Sequence, residues 1–284
     1  MLLQLNHFFK VIRFKNLLIL VLTQVLAFYF IVFPRLSFVV DNIVYLKAVI
    51  VMLSTMFVTA AGYLINDYYD VKIDLLNKPE KVIVGYTISR RYALIFHSIF
   101  NLIAIALAYF VDYYFMGIVF FTALFLWIYS NKLKRSFLTG NMLVAILTAI
   151  SVYLPAFVFR HRSELLMLFA LYSFFICLIR EIIKDVEDMK GDSAFGSKTL
   201  PIVLGMRKSK SVVLWITVLF ISIQIAISLF SINQKVILIA LVSIPFLIHF
   251  LYKLSKADTN QAFKSLSLHC KILMLIGVLM MMLC

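Results

Sequence analysis

The chain has 284 residues, of which 64% are hydrophobic and only 14% are charged, and its net charge is +14. A soluble domain could not bury so much apolar surface, so the composition indicates a polytopic membrane protein. The alternating hydrophobicity of a membrane β-barrel is missing, and we therefore expect an all-α protein.

Nine apolar segments follow one another along the chain, each able to cross a bilayer as a helix. We predict transmembrane helices at residues 16–33, 43–66, 92–111, 114–130, 141–159, 165–183, 212–231, 235–253 and 268–283. No linker or low-complexity stretch separates them, so we expect a single domain over residues 1–284. The first apolar stretch lacks a small-residue cleavage site, which favours a retained helix over a removed signal peptide.

The basic residues predict the orientation of the helices. With the N-terminus inside, most of the 27 Lys and Arg residues fall in cytoplasmic segments. The predicted external loops hold only Arg35, Arg160, Arg162 and Lys235. We therefore expect a multi-pass protein of the cell membrane with a cytoplasmic N-terminus and an external C-terminus. The net positive charge then follows mainly from this topology, and it would attract the cytoplasmic loops to anionic lipids. Because it is dispersed over several loops, no nucleic-acid partner is expected, and nothing implies an obligatory protein partner.

Two acidic cassettes of identical spacing end the second and sixth predicted helices. The first cassette lies in NDYYDVKID and the second, 118 residues further on, in REIIKDVEDMKGD. Their members are Asp67, Asp70 and Asp74, and Asp185, Asp188 and Asp192. On a helix, positions i, i+3 and i+7 fall on one stripe about 60° wide, so the three carboxylates of a cassette repel one another.

A divalent cation would offset this repulsion. Oxygen ligands suit Mg²⁺, Mn²⁺ or Ca²⁺, and no His or Cys accompanies the cassettes to suggest zinc. The Gly and the terminal Glu of an EF-hand are missing. Helix capping would explain a single Asp, but not two identical cassettes. The three cysteines, Cys177, Cys270 and Cys284, show no ligand-like spacing and are typical of core residues.

Three loops carry basic residues beside the cassettes: NKPEK, YSNKLKR and GSKTLP. Mg²⁺ often bridges protein carboxylates to substrate phosphates, so these loops are candidates for binding a diphosphate. The candidate residues are Lys78, Lys81, Tyr129, Lys132, Lys134, Arg135 and Lys198. Ordinary positive-inside anchoring is the alternative for each loop. Arg13, Asn16 and Gln24, at and within the first span, are candidates for an acceptor pocket, with helix capping and interface anchoring as alternatives.

Together these motifs resemble the UbiA superfamily of intramembrane prenyltransferases. The resemblance covers nearly the whole chain: nine helices, NDYYDVKID after the second, YSNKLKR after the fourth, REIIKDVEDMKGD after the sixth and then SKTLPIVLG. It implies a helical bundle around a central cavity, a prenyl diphosphate donor, a hydrophobic acceptor and two Mg²⁺ ions. It also implies catalytic roles for the six cassette aspartates. The implied metal ligands are Asn66, Asp70, Asp74, Asp185, Asp188 and Asp192.

The chain departs from the family pattern at two positions. Lys81 stands where many members have Arg, and Lys184 stands in the second cassette where the first has Asn66. The first departure puts the role of Lys81 in diphosphate binding in doubt. The second means that the two cassettes need not bind metal equivalently.

The acceptor is the least determined feature. VIRFKNLLIL and NDYYDVKIDLLNKPEK look most like the family branch that joins a geranylgeranyl chain to geranylgeranylglyceryl phosphate through an ether. Prenylation of a quinone precursor such as 4-hydroxybenzoate is the alternative. CDP-alcohol phosphotransferases use a single cassette containing Gly and Arg, unlike this chain. An ion-coupled transporter is a distant alternative, because its acidic sites would be expected at mid-membrane and not at helix ends.

Overall fold

The structure is a computed structural model that describes residues 2–36 and 40–284, without the side chains of residues 2–5 and Lys81. Within these ranges it contains eleven α-helices and no β-strand. The helices are α1 Leu2–Val11, α2 Phe14–Leu26, α3 Asn42–Asn77, α4 Arg90–Tyr109, α5 Tyr113–Asn131, α6 Thr139–Val158, α7 Glu164–Ala194, α8 Leu200–Leu204, α9 Met206–Phe230, α10 Gln234–Ser255 and α11 Asn260–Met280.

The predicted nine transmembrane segments are confirmed in the described residues. Nine helical segments are long and apolar enough to cross a membrane, namely all of the helices except α1 and α8, with α2 extended to Arg35 and α11 to Leu283. Large apolar side chains such as Leu102 and Leu229 are mostly exposed, at 68% and 77%. Lipid solvates such surfaces, so the protein is a multi-pass membrane protein.

Helices α3 and α7 are longer than the apolar segments predicted from hydropathy. They run to Asn77 and Ala194, about eleven residues beyond the predicted ends at 66 and 183, or about 16 Å of helix axis. No Gly or Pro lies between residue 66 and Pro79, and in α7 only Gly191 lies near the end, so the polar segments continue the helix. Both cassettes are therefore helical throughout, as their spacing predicts.

The first transmembrane segment is not a uniform α-helix. It changes to a π-helix at Ala27–Val32 and ends in a 3₁₀ turn at Phe33–Arg35 that contains Pro34. At its other end, Arg13 has a left-handed backbone with φ 51° and separates α1 from α2. This turn places the Arg13 side chain at the start of the membrane segment.

The chain forms two compact units, and each contains one cassette. The first comprises residues 1–134 and 154–162, the second residues 135–153 and 163–284. Within the first unit, α3 packs against α4 and α5. A Cβ atom added at Gly62 would lie 2.8 Å from Leu126 Cδ1, so the absence of a side chain permits close approach to α5. That the whole chain is one domain stays a prediction.

In the second unit, α7 packs against α11 and α9. The rings of Phe175 and Phe220 stack with centroids 4.8 Å apart, and Tyr172 meets Phe220 edge-on at 5.1 Å. These aromatic contacts are part of the buried core of the unit. They anchor the apolar part of α7, from which the second cassette continues.

Candidate active site

The first cassette lies on the last three turns of α3, and its central carboxylate is buried. Asp70 is 2% exposed, and the side-chain amide of Asn66, one turn earlier, donates a hydrogen bond of 2.7 Å to Asp70 Oδ2. A carboxylate in such surroundings needs compensation by hydrogen bonds or by positive charge. The amide of Asn66 supplies part of it.

Lys134 supplies the positive charge. It lies in the 3₁₀ turn Leu133–Arg135 after α5, and its ammonium donates to the same Asp70 Oδ2 that accepts from Asn66. Burial by itself would lower the pKa of the Lys134 ammonium, but the Asp70 carboxylate outweighs this effect, with further contributions from Tyr129 and Asp74, and the pKa lies above its usual value. The ammonium therefore stays charged beside the cassette.

Asp67, the first acid of the cassette, pairs with a second cation. The Arg13 guanidinium donates to Asp67 Oδ1 at 2.9 Å and lies over the ring of Tyr63, 4.7 Å from its centroid. The side-chain amide of Asn16 is 3.5 Å from the Tyr63 hydroxyl. The structure thus brings Arg13, predicted for an acceptor pocket, to the first cassette, and Asn16 to the neighbouring Tyr63.

Gln24 lies elsewhere. It is fully buried and donates to the hydroxyl of Thr55 on α3 at 3.3 Å. The eleven residues from Arg13 to Gln24 correspond to about 16 Å of helix axis, so the two side chains do not act on one small group. Hydrogen bonding between helices accounts for Gln24, and its acceptor role stays a prediction.

In the second unit, Asp185 is held by a residue that the sequence reading missed. The side-chain amide of Asn141, near the start of α6, donates to Asp185 Oδ2 at 2.7 Å. Asn141 is 6% exposed. The only signal for it in the sequence is an isolated amide at the start of an otherwise apolar segment. Its amide donates to Asp185 as that of Asn66 donates to Asp70, but from a different helix.

Glu181, one turn before Asp185, belongs to a cluster of charged side chains on α7. Arg180 Nη1 donates to Glu181 Oε1 at 2.5 Å, and Lys184 Nζ is 3.9 Å from Oε2. Opposite charges therefore lie close together along the buried side of α7. Such pairing lowers the cost of placing an acid in an apolar helix.

The end of α7 is joined to the basic segment after α5. The backbone N–H of Ser197 donates to the Asp192 carbonyl at 3.0 Å, and that of Lys198 donates to the Arg135 carbonyl at 2.8 Å. Gly196, which has φ 70°, provides the turn between them. Two predicted diphosphate ligands, Arg135 and Lys198, are thereby brought together.

The other predicted residues lie at or near the ends of the same helices. Lys132 is exposed, whereas Lys78, Tyr129, Asp74 and Asp188 are half-buried. The backbone N–H of Lys78 donates to the Asp74 carbonyl at 2.7 Å and closes the last turn of α3. The side chain of Lys81 lies outside the described part of the structure.

The residues fit magnesium chemistry by their type. Asp67, Asp70 and Asp185 present hard carboxylate oxygens, and Asn66 adds an amide. Among the described residues, no three His, Cys, Asp or Glu side chains form a ready-made metal cage. Mg²⁺ is usually held by one or two carboxylates together with water and substrate phosphates, so it does not need such a cage.

Comparison with known proteins identifies the family. The model of the UbiA prenyltransferase family matches residues 16–275. The chain belongs to the UbiA prenyltransferase family. It is accordingly a membrane prenyltransferase, a transferase of isoprenoid groups.

Individual members of the UbiA family show how far the similarity extends. Digeranylgeranylglyceryl phosphate synthase of Saccharolobus solfataricus is 37% identical over 219 residues, which cover 75% of this chain and 78% of the relative. A solved structure described as giving insights into the biosynthesis of digeranylgeranylglyceryl phosphate synthase in membranes matches 99% of this chain and 98% of its own, with 25% identity and a TM-score of 0.75. The solved structure of a UbiA homologue from Archaeoglobus fulgidus, bound to DMAPP and Mg²⁺, shares the fold with a TM-score of 0.70. It is 17% identical, and the match covers 96% of this chain and 98% of that chain.

Proposed function

We propose that this UbiA enzyme transfers a geranylgeranyl group from its diphosphate to geranylgeranylglyceryl phosphate and forms an ether lipid. The observation that carries the reaction type is the contact between Lys134 and the buried Asp70 carboxylate, beside Asn66. This contact places a carboxylate that suits Mg²⁺ beside an ammonium that suits phosphate oxygens. The acceptor rests on relatives such as the Saccharolobus solfataricus enzyme, whose name specifies digeranylgeranylglyceryl phosphate.

The two acidic cassettes would bind the diphosphate through Mg²⁺, and we propose two ions, one for each repeated cassette. Bound Mg²⁺ stabilises the negative charge that develops on a diphosphate leaving group. The solved Archaeoglobus fulgidus homologue with DMAPP and Mg²⁺ supports this choice of metal. Asn66, Asp67, Asp70 and Asp74 would act in the first cassette, and Asp185, Asp188 and Asp192 in the second.

The basic residues would contact the diphosphate directly. Lys134, Arg135 and Lys198 are the best supported, because the structure places the first on the Asp70 carboxylate and joins the other two through their backbones. Lys78, Lys81, Tyr129 and Lys132 belong to the same loops. Positive groups aimed at the leaving oxygens favour cleavage of the C1–O bond of the donor.

The chemical step then follows. Cleavage of the C1–O bond leaves the electron pair on the diphosphate and produces an allylic cation, which apolar surroundings protect from water. The oxygen of the acceptor hydroxyl attacks C1 and forms the ether bond. The released diphosphate is basic enough to take the hydroxyl proton. Arg13, beside Asp67, and Asn16, beside Tyr63, would position the acceptor.

We also propose that the N-terminus and the loops carrying the cassettes face the cytoplasm and that the C-terminus is external. The distribution of Lys and Arg over the loops supports this orientation. The polar diphosphate head group of the donor would then meet the helix ends at the cytoplasmic side, while its prenyl chain stays in the lipid.

The test is release of diphosphate from geranylgeranyl diphosphate by the purified full chain, in Mg²⁺ or in EDTA. Geranylgeranylglyceryl phosphate and 4-hydroxybenzoate are supplied as acceptors in parallel reactions. We expect Mg²⁺-dependent release with the first acceptor only. Release with 4-hydroxybenzoate only would assign the chain to aromatic prenylation, and no release with either acceptor would contradict both assignments.

A further inference from the structure

The turn after the second cassette contains two buried hydroxyl groups. Ser197 is 4% exposed and Thr199 is 2% exposed, and neither hydroxyl has a hydrogen-bond partner among the described residues. Thr199 immediately precedes α8, where a Thr hydroxyl commonly caps the helix, yet its side chain makes no capping bond. Buried polar groups are nearly always satisfied in folded proteins, so two neighbouring hydroxyls without a partner among the described residues are candidates for binding a ligand.

Basic residues adjoin the two hydroxyls. The exposed Lys198 lies between them in sequence, and its backbone N–H is bonded to the carbonyl of Arg135. On the other side, the backbone N–H of Ser197 is bonded to the carbonyl of Asp192 in the second cassette. The turn is therefore fixed by its backbone, and its side-chain donors and cations are not used to hold it in place.

There is room beside this turn. A Cβ atom added at Gly196 would meet no other group within 4 Å, and the φ of 70° at Gly196 is a conformation that glycine adopts without strain. The turn therefore leaves open space at Gly196, next to Ser197.

We propose that the hydroxyls of Ser197 and Thr199 donate hydrogen bonds to the oxygens of a substrate phosphate, with Lys198 as the accompanying cation. The inference rests on the proposed function, in which both donor and acceptor carry phosphate groups. A hydroxyl paired with an anion makes a stronger bond than one paired with a neutral group. The ligand thus satisfies two donors that the protein leaves unpaired.

The experiment uses the full-length double variant Ser197→Ala/Thr199→Val, which removes both hydroxyls and keeps their approximate shapes. Binding is measured by calorimetry with two probes: inorganic diphosphate with Mg²⁺ for the donor head group, and geranylgeranylglyceryl phosphate for the acceptor. We expect the Kd of one probe to rise by about tenfold, because two charge-assisted bonds are lost. The probe whose Kd rises identifies the source of the phosphate.

Thermal unfolding without ligand separates a binding role from a structural one. Replacement of an unpaired buried hydroxyl removes no native hydrogen bond, so we expect the Tm of the double variant to be equal to or higher than that of the wild type. The matched control is Ser209→Ala: Ser209 is also fully buried, but its hydroxyl donates to the Gly205 carbonyl at 2.9 Å. Its Tm should fall while its affinities stay unchanged.

The conservative variant Thr199→Ser keeps the hydroxyl and should retain wild-type affinity. Unchanged Kd values for both probes in the double variant would overturn the inference, and so would a fall in its Tm as large as that of the control. If the wild type binds the probes and releases diphosphate, such a result leaves the proposed function intact. If the wild type does neither, the proposed function and this inference both fail.

Discussion

The Lys134 ammonium is bonded to the buried carboxylate of Asp70, which lies 64 positions earlier in the chain. The pair belongs to the first unit and joins the turn after α5 to the acidic end of α3. If Asp70 binds Mg²⁺ as proposed, Lys134 and the metal ion would compete for the same carboxylate. An ammonium released from Asp70 is then available to the diphosphate that accompanies the metal.

Replacement of Lys134 should therefore have opposite effects on metal and on diphosphate. We expect Lys134→Met to bind Mg²⁺ more tightly than the wild type when diphosphate is absent, and to bind Mg²⁺-diphosphate more weakly, as measured by calorimetry. In EDTA the variant should be less stable by up to about 3 kcal/mol, because Asp70 loses its counter-ion. The exposed Lys132→Met is the control, and the same response in both variants would refute the competition.

Removal of a cassette charge should abolish turnover without preventing membrane insertion. We expect Asp70→Asn and Asp188→Asn to lower kcat by about 100-fold or more, because each would lose a carboxylate that we propose binds the metal and so stabilises the leaving group. Asp258→Asn is the control, since Asp258 is mostly exposed and pairs with Lys210 at 2.9 Å. Activity within a few-fold of wild type in either cassette variant would exclude a joint role of the two cassettes.

Asn141 should increase the affinity of the second cassette for Mg²⁺. The hydrogen bond that its side-chain amide donates to Asp185 Oδ2 orients this carboxylate, a proposed metal ligand. We expect Asn141→Leu to raise the Mg²⁺ concentration needed for half-maximal activity by about tenfold, the effect of one lost charge-assisted hydrogen bond. The exposed Asn131→Leu should leave that concentration unchanged. An unaltered Mg²⁺ requirement in Asn141→Leu would show that this bond serves packing only.

Arg13 and Asp67 should behave as a unit. The pair is partly exposed, so we expect a coupling energy of only about 1 kcal/mol in a double-mutant cycle of Arg13→Met and Asp67→Asn. The cycle is scored on the KM for the acceptor, and the KM for geranylgeranyl diphosphate serves as the comparison. Additive effects on the acceptor KM would separate Arg13 from the cassette and contradict its assignment to acceptor positioning.

Hydropathy and spacing were sufficient to predict the membrane helices and the helical stripes of acids. Both are local properties, since an apolar segment must cross the bilayer as a helix and residues at i, i+3 and i+7 share one face wherever the helix lies. The ends of α3 and α7 were predicted too early, because hydropathy detects the apolar segment while the helix continues through the polar residues to Asn77 and Ala194.

The chain's own amino-acid order therefore determined the class of protein, the number of membrane segments and the position of the acids. The tertiary structure alone decided which partner meets which acid: Arg13 with Asp67, Lys134 with Asp70 and Asn141 with Asp185 lie 54, 64 and 44 positions apart. Such pairs depend on how helices pack against one another, and a sequence separation carries no information about that packing. That the hydroxyls of Ser197 and Thr199 are buried without a partner among the described residues is likewise visible only in the folded chain, because burial depends on the surrounding helices and turns.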